Sequence, residues 1–293
     1  MSASYSKGTS VDARAKVGFL KREPKAKPYF FRWLGSDEFL NGWERWCLWL
    51  GNCPPDKLKQ MPLALERVNL VRKFRLESKR AQTLRAAEIP SHFATELIPK
   101  EPYILVPKVS SERRHFIPIG FMGVDTLVSD LVFMVPKATP YHFGILSSTM
   151  HNAWVRRVCG RLKSDYRYSK DIVYNNYPWP ENPSVAQKQA VEAAAQGVLD
   201  ARAGHMVLPA PAPQGGGPPR AASLADLYDP LTMPPDLVKA HRELDRAVDK
   251  CYRPQPFPND TKRVEYLFEL YDKYTSGLLA VEKVKKKRKK KNG

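Results

Sequence analysis

The chain has 293 residues, 43% of them hydrophobic, with 48 Lys and Arg against 30 Asp and Glu, a net charge of +18. That length allows one large domain or two ordinary ones, and that apolar content excludes wholesale disorder. No apolar run approaches the ~20 residues that span a bilayer, the first residues lack a secretory apolar stretch, and the cysteines are too scattered for a disulfide framework or a C-x-x-C zinc pair. A cytoplasmic chain without a membrane partner is expected.

Residues 1–27 are polar, basic and without periodicity, which predicts a disordered lead-in or the stub of a missing upstream part. From Tyr29 the composition changes: Tyr29, Phe30, Phe31, Trp33, Phe39, Trp43, Trp46 and Trp49 put eight aromatics into 21 residues. Such density predicts a buried strand or short helix pair, bounded by Gly42, Gly51 and the Cys53-Pro54-Pro55 turn. Residues 62–88 read as a helix, with Pro62 near its start and Leu65, Val68 and Val71 at helical spacing. Its cations, Arg67, Arg72, Lys73, Arg75, Lys79, Arg80 and Arg85, fit either a solvated face or one that tracks phosphates.

Tyr103–Val106 and His115–Ile119 flank the turn-like Ser110-Ser111-Glu112 and predict a hairpin. Leu127–Val135 predicts a buried strand, and Pro107, Pro118 and Pro136 keep these strands short or at edges. Phe143, Leu146, Met150, Trp154 and Val158 predict one helix over 141–162. After Pro178-Trp179-Pro180, a helix is expected over 183–203 and a proline- and glycine-rich linker over 204–222. Two further helices, starting at Pro234-Pro235 and after Asn259-Asp260, make up a helical part over 223–280. A Lys-rich tail, 281–293, is expected to be disordered. The fold class is therefore α+β: a mixed, mostly antiparallel domain over 28–182, then a helical domain.

The charge is uneven. Residues 1–180 carry 29 basic and 16 acidic groups, net +13; residues 181–282 carry 11 and 14, net −3; the last eleven residues hold eight basic groups and no acid. Charge of this kind speaks to partners, so the first 180 residues point to a polyanion and the next hundred to packing or docking. The tail VKKKRKKKNG fits a solvated lysine run as well as a nucleic-acid arm.

Catalytic signatures are missing. Gly120 to Gly123 and Gly215 to Gly217 lack the strand-before, helix-after context of a phosphate loop, and the histidines stand alone. Ser147-Ser148 between His142 and His151 lacks a nucleophile elbow. Asn176-Tyr177-Pro178-Trp179 only approximates the Asp/Asn-Pro-Pro-aromatic motif of amino-methylating DNA enzymes. What remains is cations interleaved with aromatics. Lys108, Ser110, Ser111, Arg113 and Arg114 fall at the expected hairpin tip. Arg156, Arg157, Arg161, Lys163, Arg167 and Lys170 accompany Trp154, Tyr166 and Tyr168. Lys and Arg neutralise phosphates, while Arg and polar side chains on a loop or strand reach base edges, so these are candidate contacts to duplex DNA. Arg113 and Arg114 fit ordinary turn residues too, and part of the 156–170 stretch must face the core.

Several blocks carry a resemblance: RWCLWL (45–50), LVPKVSSERRHFIPIGF (105–121), YHFGILSSTMHNAW (141–154), GRLKSDYRYS (160–169) and IVYNNYPWP (172–180). With ASLADLYDPLTMPPDLVKAHRELDRAVDKCY and RVEYLFELYDKY near the end, the chain resembles the MmeI-like, adenine-specific DNA methyltransferases of bacterial type IIL restriction-modification systems. The resemblance implies a target-recognition domain over 28–182 followed by the family's C-terminal helical domain. It also implies that the catalytic domain, with its Asn-Pro-Pro-Tyr motif and S-adenosylmethionine, lies outside this sequence, so that the chain holds no cofactor and is inactive alone. The expected function is then the DNA-reading portion of a site-specific adenine-N6 methyltransferase, with double-stranded DNA and a separate catalytic chain as partners. The competing reading is a non-catalytic interaction remnant, whose residues 28–50 would expose an apolar patch.

Overall fold

The computed structural model describes residues 10–93, 96–207, 209–210 and 220–291. The fold is α+β, with small, mostly antiparallel sheets and a helical C-terminal region. The chain divides into two compact units, Met1–Tyr103 with Phe121–Pro136, and Ile104–Gly120 with Lys137–Gly293. This division does not fall at residue 182, because residues 104–120 and 137–182 join the helical part.

In the first unit the described part of the expected lead-in, residues 10–27, carries secondary structure, while residues 1–9 lie outside the described residues. Asp12 caps the helix Ala13–Arg22 by accepting from the Ala15 amide at 2.7 Å. Phe19 then packs with Ala26, Phe30, Leu48, Leu50, Met61, Ala64 and Val68 in one core. Glu23 ends the segment: its carboxylate accepts from Leu63 N at 2.7 Å and Ala64 N at 2.9 Å. Those are unpaired donors at the positive end of the helix Pro62–Leu76, where a carboxylate is favoured. Polarity alone suggested disorder here; two capping side chains, Phe19 and Ala26 in the core and the pairing of Ser10–Val11 with Trp46–Cys47 hold the segment instead.

The aromatic stretch forms a sheet in the order Ser10–Val11, Trp46–Leu48, Phe30–Leu34, Thr126–Val128, of which only the last pairing is parallel. Strand alternation sends Phe30 and Leu34 to one face and Phe31 and Trp33 to the other, with Cys47, Trp49, Leu127 and Phe93. The predicted 62–88 helix stops at Leu76 and resumes as Ala81–Arg85. Arg75 explains the break: its buried guanidinium donates to the carbonyls of Ala86 (2.6 Å), Ile89 (3.2 Å) and His92 (2.6 Å), tying down the returning chain. The predicted strand 127–135 is two strands, Thr126–Val128 and Val132–Pro136, separated where Ser129 Oγ accepts from the Leu131 amide.

The second unit is built on the helices Pro140–Ser147, Thr149–Val158, Val185–Val207, Pro235–Tyr252 and Asp260–Lys291. The predicted 141–162 helix is broken at Ser148, whose extended backbone (ψ 160°) ends one helix while its hydroxyl caps the next through the His151 amide. Asp245 reinforces the new start, accepting from Thr149 N and Thr149 Oγ1, both at 2.6 Å. Gly144 lets helices close in, since a Cβ there would stand 2.6 Å from Val191 Cγ1 and 3.2 Å from Leu244 Cδ1. A buried ion pair, Arg263 with Asp249 at 2.7 and 3.1 Å, joins the last two helices, and Arg156 reaches Asp260 at 2.7 Å.

Of the expected 204–222 linker, residues 204–207 continue a helix and Pro209–Ala210 pairs with Arg220–Ala221; residues 208 and 211–219 lie outside the described residues. The backbone of the lysine-rich end is helical through Lys291, where a disordered tail was expected. No helix among the described residues is long and apolar enough to cross a membrane.

Candidate nucleic-acid interface

The predicted hairpin between Tyr103–Val106 and His115–Ile119 is not formed. The first strand exists as Tyr103–Pro107, but residues 115–119 have no strand partner. Pro118 lacks the amide a ladder needs. Side chains satisfy the segment instead: Arg156 donates to His115 O (2.8 Å), Asn152 Oδ1 accepts from Ile117 N (2.9 Å), and Arg202 donates to Ile119 O (2.6 Å).

A different, three-stranded sheet collects the candidates. Val109–Ser110 pairs antiparallel with Asp165–Arg167, which pairs with Gly160–Leu162. The last two strands turn through Lys163-Ser164, with Lys163 left-handed at φ 56°. Sequence reasoning extended a helix over this hairpin, because Trp154 and Val158 kept the helical spacing; the signals it passed over were Gly160 and the alternation of Arg161, Lys163, Asp165 and Arg167.

Extending the antiparallel register brings the turn Ser111–Arg114 beside the Lys163-Ser164 loop. Two contacts agree: Glu112 N meets Asp165 Oδ1 at 3.4 Å, and Arg161 lies 3.9 Å from Glu112. Tyr166 and Ser110 share the inward face, and Arg161 stacks its guanidinium 4.1 Å over the Tyr166 ring. Arg167 and Leu162 point the other way and are exposed, Leu162 at 50%. The sheet thus exposes cations at its loop and on both faces, Arg167 on the outward one and Arg161 over the buried Tyr166 ring.

The twelve candidates separate on this frame. Arg113, Lys163 and Arg167 are exposed on the turn, the loop and the outward face, with no side-chain partner among the described residues. Arg157, at the end of its helix, is likewise exposed. Arg161 keeps an exposed guanidinium while bonding Ser164 O at 2.9 Å. Lys108 is half-buried, and its carbonyl accepts from Tyr168 N at 2.8 Å. Ser111 orders the turn, its hydroxyl taking Arg113 N and its carbonyl Arg114 N. Arg114 is half-buried; burial lowers its pKa against the opposing pull of Asp229 and Asp165. Lys170 is exposed and paired with Asp171 at 2.6 Å.

Three candidates are buried or engaged within the fold. Ser110 is 2% exposed and faces the core, so it offers a ligand nothing. Tyr168 is 4% exposed, its hydroxyl 3.0 Å from His151 Nε2. Burial drives the Tyr168 pKa up and holds His151 down to about 3, so this is a neutral pair clamping the strand to the helix. Arg156 is occupied internally by Asp260 and His115 O, a helix-to-loop brace rather than a free cation.

The suspected catalytic look-alikes also resolve into packing. Ser148 caps, and Tyr177 of the Asn176–Trp179 motif is buried, hydrogen-bonded to the Tyr252 hydroxyl at 2.7 Å. Gly120–Met122 is a strand leading through a turn into Thr126–Val128, with no helix N-terminus to receive an anionic cofactor. No group of three or more His, Cys, Asp or Glu among the described residues is placed to hold a metal ion.

Comparison with known proteins identifies relatives of the chain. The chain is similar to DNA methyltransferase A of Bacillus subtilis (strain 168), 40% identical over 256 residues, covering 87% of this chain and 27% of the relative. It is also similar to the solved structure of the Type IIL restriction-modification enzyme MmeI in complex with DNA, at 41% identity and a TM-score of 0.85, covering 93% of this chain and 34% of that one. The chain therefore spans about a third of these relatives or less. Family models match throughout, MmeI target recognition domain over residues 6–181 and MmeI C-terminal domain over 183–279, and on this evidence the chain belongs to the MmeI family.

Proposed function

We propose that this chain reads a short sequence in double-stranded DNA through residues 28–182, as the recognition portion of an adenine-N6 methyltransferase of a restriction-modification system. The observation that carries the reading is the small sheet with its turn. It leaves Arg113, Lys163 and Arg167 exposed on the turn, the loop and the outward face, with Arg161 on the opposite face, stacked over Tyr166. A two-stranded ribbon and a loop of this size enter a major groove, where arginine forks pair with guanine edges. Support comes from the 41%-identical relative, whose solved structure is a DNA complex.

Methyl transfer from S-adenosylmethionine would belong to the part of the longer relatives that this chain does not span, supplied by another polypeptide segment or a partner chain. The chain's own residues would bind, orient and select the duplex. The interaction-remnant reading needs an exposed aromatic patch over 28–50, but Phe30, Phe39, Leu40 and Cys47 to Leu50 are buried; Trp43 is the large exposed aromatic there, at 55%.

The test is duplex binding by the full chain, measured by fluorescence anisotropy across a salt series. Each phosphate neutralised contributes about 0.9 to the slope of log K against log salt. A steep slope, reduced by about one in Lys163→Ala, supports the reading; a flat one rejects it.

A further inference from the structure

We propose that Arg202 is a positioning residue for the basic turn Ser111–Arg114, which it holds from behind through the extended segment 115–119. The inference rests on the duplex-reading role above and identifies what sets the geometry of its turn.

Residues 115–119 follow the turn directly and lack a strand ladder, so their pose depends on side chains. Asn152 and Arg156 hold Ile117 and His115 from the helix Thr149–Val158. The third anchor, Arg202 on Ile119 O, comes from Val185–Val207, outside the segment that matches the recognition domain. Arg202 is 4% exposed, and no carboxylate pairs with it among the described residues. Its guanidinium lies 5.1 Å from the Phe143 ring and 4.8 Å from the Tyr228 ring. A methionine or leucine would fill that space without burying a charge. What the guanidinium adds is direction: its plane sets Nη1 on the Ile119 carbonyl and Nε on the Tyr228 hydroxyl.

The fork is itself oriented. Nε donates to the Tyr228 hydroxyl at 2.6 Å, and that hydroxyl lies 2.8 Å from His241 Nε2. Having accepted from arginine, the hydroxyl gives its own proton to a neutral imidazole, whose remaining proton then sits on the buried Nδ1. The His241 ring stacks on Phe116, centroids 4.0 Å apart at 20°. The cluster Arg202, Tyr228 and His241 therefore grips the segment twice, at Phe116 and at Ile119. The next residue along, Asp229, acts on Arg114 in the turn itself. A purely space-filling cluster would need none of these polar alignments.

The test uses the full chain with Tyr228→Phe, which removes one hydroxyl and keeps both rings, and Arg202→Lys, which keeps the charge and loses the fork. Two quantities are read: amide hydrogen exchange over 111–119, and discrimination between the selected duplex and single-base mismatches. Both variants should exchange at least about fivefold faster at 111–119, the change expected for one net hydrogen bond. Exchange in the helix Pro235–Tyr252 should stay unchanged. Discrimination should fall by a similar factor while the salt slope stays put, because the exposed cations remain. Unchanged exchange at 111–119 in Tyr228→Phe overturns the proposal, and so does faster exchange with undiminished discrimination. If the unmodified chain shows no discrimination, the duplex-reading role fails, and this role for Arg202 falls with it. If Arg202→Lys does not fold, Tyr228→Phe decides.

Discussion

Arginines occur in the three-stranded sheet with its turn and in the helices of the same unit, and the two regions use them in opposite ways. In the sheet and its turn, Arg113 and Arg167 stand in water with no partner among the described residues, and Arg161 lies flat on Tyr166. Behind them, Arg156, Arg202 and Arg263 are largely withdrawn from water and aimed at the His115 and Ile119 carbonyls and at Asp249 and Asp260. Neighbours in sequence part company: Arg156 braces a loop and Arg157, one residue on, faces solvent. A count of positive charge therefore does not tell which cations are free to meet a polyanion. What separates the two jobs is whether a carbonyl or carboxylate is already within reach.

The largest expected effect breaks the inner region. Asp249→Ala removes the bidentate partner of Arg263, which keeps Asp260 at 3.3 Å, and should cost about 3 kcal/mol in denaturant unfolding, the low end for a broken buried pair. A loss near zero would mean the pair is solvated. Next, the combined Arg113→Ala, Arg157→Ala, Lys163→Ala and Arg167→Ala chain should keep its stability within about 0.5 kcal/mol and lose about 3–4 from its salt slope. The reverse pattern, destabilised with the slope intact, would exchange the roles assigned to the two regions. Within that set, Arg167→Ala should cost about 1–3 kcal/mol at one base position if it reads an edge, while Lys163→Ala should weaken all sequences alike.

Smaller effects sharpen the contrast. Glu23→Gln removes the charge capping Pro62–Leu76 and should lower stability by about 1 kcal/mol without touching DNA binding. Asp245 gives a pH signature: burial raises its carboxyl to about 6 from an ordinary 3.8, against the hydrogen bonds from Thr149 and the nearby Arg263. The folded state thus holds this proton more tightly than the unfolded chain. Its stabilising contribution is complete below about 3.8 and is lost as the pH rises through about 6. Asp245→Asn should flatten the stability profile in that window, read from thermal unfolding at a series of pH values.

Much of this was legible in the sequence. Strong helical spacing located Pro235–Tyr252 and the start of Asp260–Lys291, and the aromatic run marked a buried sheet. The misses share a cause, namely single side chains acting at a distance. Nothing near Ser148 announces that Asp245 will start a new helix there, and nothing in 115–119 announces that Asn152, Arg156 and Arg202 will stand in for a strand. Polarity hid the ordered 13–27 segment because its anchors, Asp12, Phe19 and Glu23, are too few to make a pattern. For the candidate interface, composition marked the basic stretches Arg113–Arg114 and Arg161–Lys170 but could not sort inward from outward side chains. Ser110 and Tyr168 are buried and Arg156 is engaged internally, none of which composition reveals.

The most direct measurement is selection of duplexes from a random-sequence library by the purified full chain at low and at physiological salt. Sequence reading predicts that one short motif is enriched and survives the higher salt, with specific contacts adding to phosphate contacts. Binding that enriches no motif and disappears at physiological salt would contradict it, leaving a basic surface that holds DNA without reading it.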